Sequence, residues 1–157
     1  MAERSSAPAG LADLELVITR VFDAPRGLVF KMWTDPRHLA RWWGPQGFTL
    51  PSCDIELRAG GAYNFHMRGP EGDEHCSRGI IREFVEPERL VLVGGWTDAA
   101  GNRTSPESET TISFEDQGSK TKLTLRSVVF ESVSSRDAHR GGWNSSLDRL
   151  AEYLATV

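Results

Sequence analysis

His75 and Ser77 stand two residues apart in a stretch with strand-like alternation, and an imidazole near a hydroxyl on one strand face could serve as a general acid or base. Nothing else in the chain completes a catalytic set around them. His38, His66 and His139 are scattered, and no two histidines show the spacing of a zinc or iron ligand pair, so neither a metal nor a cofactor is expected. Cys53 and Cys76 lack a CxxC or Cys/His pattern and read as reduced thiols carried on strands. Asp35, Asp54 and Glu83 are single carboxylates; Glu83 shares strand parity with His75 but falls where a strand ends and reads as surface-facing. GxSxG, P-loop and GxGxxG motifs are missing, and Gly94-Gly95 has no phosphate-loop context. The chemistry on offer is acid–base work at His75 or no catalysis at all.

The elements that must position these residues can be read from the turns. Gly69-Pro70-Glu71-Gly72 suits a three-residue loop with a bulge, which pairs Gly69 with Asp73. Counting outward, Tyr63, Phe65 and Met67 then share a face with His75, Ser77 and Gly79, while Asn64, His66 and Arg68 share the other with Glu74, Cys76 and Arg78. A register shifted by one would bury two charges beside the aromatic set. A two-residue loop within Glu86-Pro87-Glu88-Arg89 would set Trp96 opposite Gly79 on the inner face. Gln117-Gly118 would pair Glu115 with Lys120 outside and set Thr110, Ile112 and Phe114 beside Leu123, Leu125 and Ser127 inside.

Before this run of strands, Leu14 to Phe22 reads as a strand, and Pro25 suits the first turn of a helix whose buried face carries Val29, Phe30 and Trp33. Asp35 is a good N-cap for a second short helix, with Pro36 at its first position and Gly44-Pro45 at its end. The chain closes with a long helix from about Ser134, capped by Ser134, whose stripe is Trp143, Leu147, Leu150, Leu154 and Val157. Gly141-Gly142 inside that pattern costs about 1 kcal/mol per residue relative to alanine. A kink or late helix start is the preferred reading of the pair; close approach of a ligand or strand is the alternative.

Trp33 and Trp42 read as core by their helical spacing. Trp43, about 100° further around the helix, cannot share the contact of Trp42 and is placed at a cavity mouth. Tyr63, Phe65 and Met67 beneath a long helix make either a solid core or a lined pocket. The small and polar residues beside them, Ser77, Gly79, Thr110 and Ser127, favour a pocket.

The 157 residues suit one domain, spanning 13–157 after a flexible leader of residues 1–12 rich in Ala, Ser, Pro and Gly. With 18 basic and 22 acidic residues and a formal charge of −4, no basic stripe exists for a nucleic acid. Neither a secretory signal nor a run of about 18 apolar residues occurs, so the expectation is a cytoplasmic protein without membrane insertion.

Six phrases in order, FDAP, WTDP, LARWWGP with a following Gly-Phe, GGAYNFHMRGPEG, EPERLV and GGWNSSLDRLAEYL, resemble the heat-shock-protein-90 ATPase activator homologue family. This is the AHSA-like branch of the START-related SRPBCC superfamily, which also contains the major birch-pollen allergen. The resemblance covers about Leu14 to Val157. It implies an α+β helix-grip fold: about seven antiparallel strands curved around a long C-terminal helix, with two short helices after the first strand. It also implies a hydrophobic small-molecule cavity between sheet and helix, and a link to stress response.

Three roles follow. The first is binding of a hydrophobic or aromatic small molecule by a lining of Trp43, Tyr63, Phe65, Met67, His75, Ser77, Trp96, Leu125 and Trp143. The second is a cyclase-like or hydrolytic enzyme in the same cavity with His75 as acid–base residue. The third and least expected is a chaperone-interacting module using the outer sheet face, since a dozen leading residues leave no room for the co-chaperone's second, N-terminal domain. A monomer and a homodimer are equally compatible with the sequence.

Overall fold

Alternation in LVITRVF buries Leu16, Ile18 and Phe22 on one side of β1 (Leu16–Phe22), which starts two residues later than its apolar pattern. This is a computed structural model, and it describes residues 14–128 and 132–157. The expected leader, residues 1–12, lies outside the described residues, as do Val129 and Phe130 at the end of the strand run.

Helix α1 (Arg26–Thr34) follows Pro25, which acts as the extended N-cap residue; its carbonyl accepts the N–H groups of Leu28 and Val29 at 3.0 and 3.1 Å. The helix buries Val29, Phe30, Met32 and Trp33. In α2 (Pro36–Trp42), the Asp35 carboxylate accepts the Arg37 N–H at 2.9 Å and Pro36 opens the first turn, as its sequence dictates. Trp43 does not continue this helix. Its backbone turns extended (φ −66°, ψ 129°), so the expected 100° separation fails and its ring packs edge-on against Trp42, 5.5 Å between centroids.

Strands β2 (Thr49–Ile55), β3 (Ala62–Arg68), β4 (Glu74–Val85), β5 (Arg89–Thr97), β6 (Ser108–Gln117) and β7 (Lys120–Val128) form an antiparallel meander. With β1 they make one seven-stranded sheet in the order β1-β7-β6-β5-β4-β3-β2. The β3–β4 register is as read from the turn: Phe65 faces Ser77, Met67 faces His75, and the Gly69 N–H donates to the Asp73 carbonyl at 2.7 Å.

Two other registers differ from expectation. Val85 pairs with Arg89 across a three-residue loop, and a bulge between Ile81 and Glu83 inserts one more residue, so Trp96 meets Ser77 and Gly94 meets Gly79. The same bulge exchanges the faces of β4. Phe84 therefore turns inward to meet Phe30 edge-on at 5.5 Å, and Glu83 turns out to pair with Arg89 at 3.4 Å. At the last hairpin the loop is Gly118-Ser119, so Glu115 pairs with Lys122 rather than Lys120. The inner set is kept, with Ile112 opposite Leu125 and Thr110 opposite Ser127.

Helix α3 (Val133–Leu154) lies across the concave face. Its N-cap is Ser132, which accepts the Ser135 N–H at 3.0 Å, and not Ser134, which lies inside the first turn. The helix runs unbroken through Gly141-Gly142, which excludes a late start at that pair. Leu147, Leu150 and Leu154 are buried, whereas Val157 lies beyond the helix and is 57% exposed. No helix among the described residues is long and apolar enough to cross a membrane.

The concave face is solid at one end and hollow at the other. Phe30, Trp33, Phe84 and Phe114 fill the part under α1, where Phe30 meets Phe114 at 5.2 Å and Trp33 meets it at 6.3 Å. The hollow part lies under the first half of α3. Core and pocket thus coexist on one sheet face.

Candidate functional site

The hollow is a cavity of about 360 Å³. Its floor is laid by alternate residues of β3 and β4, Tyr63, Phe65 and Met67 and then His75 and Ser77, and by Leu92, Gly94, Gly95 and Trp96 of β5. Ser108, Thr110 and Ser127 line the β6–β7 side, and Ala138, His139, Gly142, Trp143 and Ser146 form the roof on α3. The remaining side is Trp43, Gly44, Pro45 and Phe48, between α2 and β2.

Every residue expected to line the cavity does so except Leu125. That side chain is fully buried opposite Ile112 in the solid end, so β7 reaches the hollow only through Ser127, one inward position further on.

Aromatic rings make one wall. Trp43 meets Phe65 at 4.7 Å and Trp143 at 5.4 Å, both edge-on, and Trp143 stacks on the buried Trp33 at 5.8 Å. Trp33 itself is 1% exposed, and its indole N–H has no partner among the described residues. The N–H of Trp42 donates to the Met32 carbonyl at 3.0 Å.

Hydroxyls are spread over the floor, the β6–β7 side and the roof. Those of Thr110 and Ser127 bond each other at 2.8 Å, and Ser146 donates to the Gly142 carbonyl at 2.9 Å. The Tyr63 hydroxyl reaches Ser77, and burial pushes its pKa above the ordinary phenol value. Its end lies over the paired Gly79 and Gly94: a Cβ on Gly79 would stand 2.7 Å from the phenol oxygen, and one on Gly94 would stand closer. The space above Gly79 is therefore filled by Tyr63, and Trp96 covers Ser77 instead.

His75 sits at the mouth. Its Nε2 is 2.5 Å from the Asp73 carboxylate, its side chain is 40% exposed, and its ring lies 5.5 Å from Phe48 and 6.2 Å from Trp96. The His75 bond holds the Asp73 carboxyl below the usual range. On the far side of Trp96, the indole N–H donates to His139 Nε2 at 3.3 Å while His139 Nδ1 meets the Ser135 carbonyl at 2.8 Å. A donor at Nδ1 and an acceptor at Nε2 suit these two partners. No Asp, Glu, Lys or Arg is among the lining residues.

The two thiols are reduced and stand on opposite faces, Cys53 opposite Phe65 and Cys76 opposite His66. His66 lies on the outer face with Glu74 as its partner. Among the described residues, no group of three or more His, Cys, Asp or Glu could hold a metal ion.

His139, Phe48 and the hydroxyl of Ser108 were not expected in the lining. His139 carries a signal that was available, since it precedes Trp143 by four residues and so shares its helix face. Ser108 continues the inward alternation of Thr110, Ile112 and Phe114, whereas Phe48 sits beside a turn where no periodicity places it.

The sequence profile of the family described as activator of Hsp90 ATPase homolog 1-like protein matches residues 23–155. Among solved structures, the AHSA1 protein of Silicibacter pomeroyi is 27% identical, with a TM-score of 0.82 over 90% of this chain and 98% of that one. A protein from Arthrobacter aurescens is 26% identical, with a TM-score of 0.80 over 95% and 90%. A protein from Chromobacterium violaceum is 27% identical, with a TM-score of 0.77 over 89% and 96%. No curated protein matches the chain. The profile match from Asp23 to Ala155, on a seven-stranded sheet gripping one long helix, means that the chain belongs to the AHSA1-like family within the SRPBCC superfamily.

Proposed function

We propose that the protein binds a hydrophobic or aromatic small molecule in the cavity between the sheet and α3. The observation that carries this reading is the lining, in which the rings of Trp43, Phe65 and Trp143 group together, hydroxyls are spread over the other sides, and no Asp, Glu, Lys or Arg takes part. An aromatic ligand would stack against Trp43, Phe65 and Trp143 and orient its polar edge toward Tyr63, Ser77 and Thr110. Membership of a superfamily whose fold commonly binds hydrophobic ligands supports the same reading. Tryptophan fluorescence titrated with a panel of polycyclic, phenolic and lipid-like compounds tests it. Quenching or a blue shift that saturates is expected from at least one class; a flat response to every class sinks the proposal.

One observation favours catalysis as a second reading: the Asp73 carboxylate holds His75 in a fixed orientation, as an acid–base imidazole requires. His75→Ala separates the readings. A binding protein loses modest affinity, whereas a hydrolase or cyclase loses turnover by roughly 10² to 10⁴.

A further inference from the structure

The segment 43–48 crosses the side of the cavity as a strap and supplies Trp43, Gly44, Pro45 and Phe48 to its lining. Trp43 and Phe48 anchor its two ends by ring packing, against Phe65 and Trp143 and against His75, but its backbone makes few bonds of its own. Gly44 and Gly47 both sit at positive φ, 98° and 88°; the Phe48 N–H bonds the Pro45 carbonyl within the strap, and the Trp43 N–H bonds the Leu39 carbonyl of α2. The fastening comes from α3.

Arg149 Nη1 lies 2.8 Å from the carbonyl oxygen of Gly44, 3.1 Å from that of Pro45, 3.2 Å from that of Phe48 and 3.3 Å from that of Trp43. Its Nη2 lies 3.4 Å from the Arg41 carbonyl. Two hydrogens at Nη1 are thus shared among four oxygens of a single loop. One turn earlier, the Gln46 N–H donates to Ser145 Oγ at 2.9 Å. Earlier still, Pro45 lies beside Gly142, where an added Cβ would meet its Cγ at an ordinary contact distance of 3.8 Å. Among the described residues, the side-chain hydrogen bonds to the strap therefore come from α3, and the cation is held by backbone carbonyls that would otherwise need water.

We propose that Arg149 is a positioning residue for the cavity: it closes the 43–48 strap against α3 and thereby sets how fast an occupant enters and leaves. The gating half of this rests on the cavity being a binding site; the closure half needs no occupant. Lysine at position 149 would bring a point charge to the carbonyl cage but could not also span to Arg41, so it should fasten the strap only in part.

Hydrogen exchange of the full chain, without any probe, tests closure. In Arg149→Met the amides of Gln46 and Phe48 should exchange at least tenfold faster while those of β4 and β5 keep their rates, and Arg149→Lys should recover part of the protection. Equal acceleration throughout the sheet, or none at Gln46 and Phe48, overturns the proposal. Stopped-flow with 8-anilinonaphthalene-1-sulfonate as the probe tests gating. Association and dissociation should both rise at least fivefold in Arg149→Met, by similar factors; unchanged rates on a protein that binds the probe overturn gating and leave binding intact. Strap amides that respond in a protein binding neither this probe nor the ligand panel place the failure with the binding reading and take gating with it.

Should Arg149→Met fail to fold, the double variant Pro45→Cys, Gly142→Cys staples the strap shut with Arg149 in place. Oxidation should slow probe exchange at least fivefold and reduction should restore it; identical rates in the two states overturn the proposal.

Discussion

Gly94 faces Gly79 across β4 and β5, and a methyl group there would run into both the Arg78 carbonyl oxygen and the Tyr63 hydroxyl. Overpacking of this kind costs about 1–3 kcal/mol, and a domain of this size loses roughly 2–4 °C in Tm for each kcal/mol. Gly94→Ala should thus lower Tm by several degrees in a thermal melt, whereas an unchanged melt would mean that the phenol yields without cost. Cys53 offers a test by reactivity. Burial first, and the Asp54 charge second, push its thiol up to about 12, so its thiolate is scarce at any pH below that value. At pH 8 a free thiol of ordinary pKa is about one quarter thiolate, so alkylation of Cys53 should be at least a hundredfold slower in the native protein than in urea. Rates within tenfold of each other would contradict the burial seen here.

At the scale of elements, the two helices that frame the cavity begin at side-chain caps. Ser132→Ala removes the acceptor for the Ser135 N–H and should cost about 1 kcal/mol, read as a shift in the urea midpoint without a change in slope. Asp35 caps α2, and the Arg37 guanidinium and N–H hold its carboxyl below the usual value of 3.8. Because the folded value is the lower one, the stabilisation is present above 3.8 and is lost as pH falls through the folded value. The Tm gap between wild type and Asp35→Ala should therefore be widest near neutrality and narrow below pH 3.8. A gap that stays constant with pH would assign the cap to something other than the charge.

For the molecule as a whole, an occupant of the cavity binds only the folded state. A ligand present at a hundred times its Kd should add about 2.7 kcal/mol, a rise in Tm of roughly 5–10 °C at this chain length. A shift below 1 °C with a compound that saturates the fluorescence signal would place that compound outside the cavity. The β2–β7 meander, the β3–β4 register and the α2 cap were all legible in the sequence because turn chemistry and alternation specify them locally, whereas the pairing of β1 with β7 joins strands about a hundred residues apart. The bulge at Ile81 to Glu83 was not, since no residue type there demands an extra unit, and it alone decides that Phe84 and not Glu83 faces inward. The floor of the site was legible for the same reason as the sheet. Leu125 was misplaced because parity assigns a face but not a position along the strand, and the strap was invisible because its fastening comes from a helix a hundred residues away.

The pairing of Gly79 with Gly94 has a consequence for selectivity. A sheet without side chains at one spot is a trench, and here a single phenol, Tyr63, occupies it. The depth of the chamber is thus written at one position, apart from the ring cluster of Trp43, Phe65 and Trp143 and from the 43–48 strap. Shortening residue 63 would lengthen the chamber toward the glycines, with loss of the ring contact with Phe65 and the bond to Ser77.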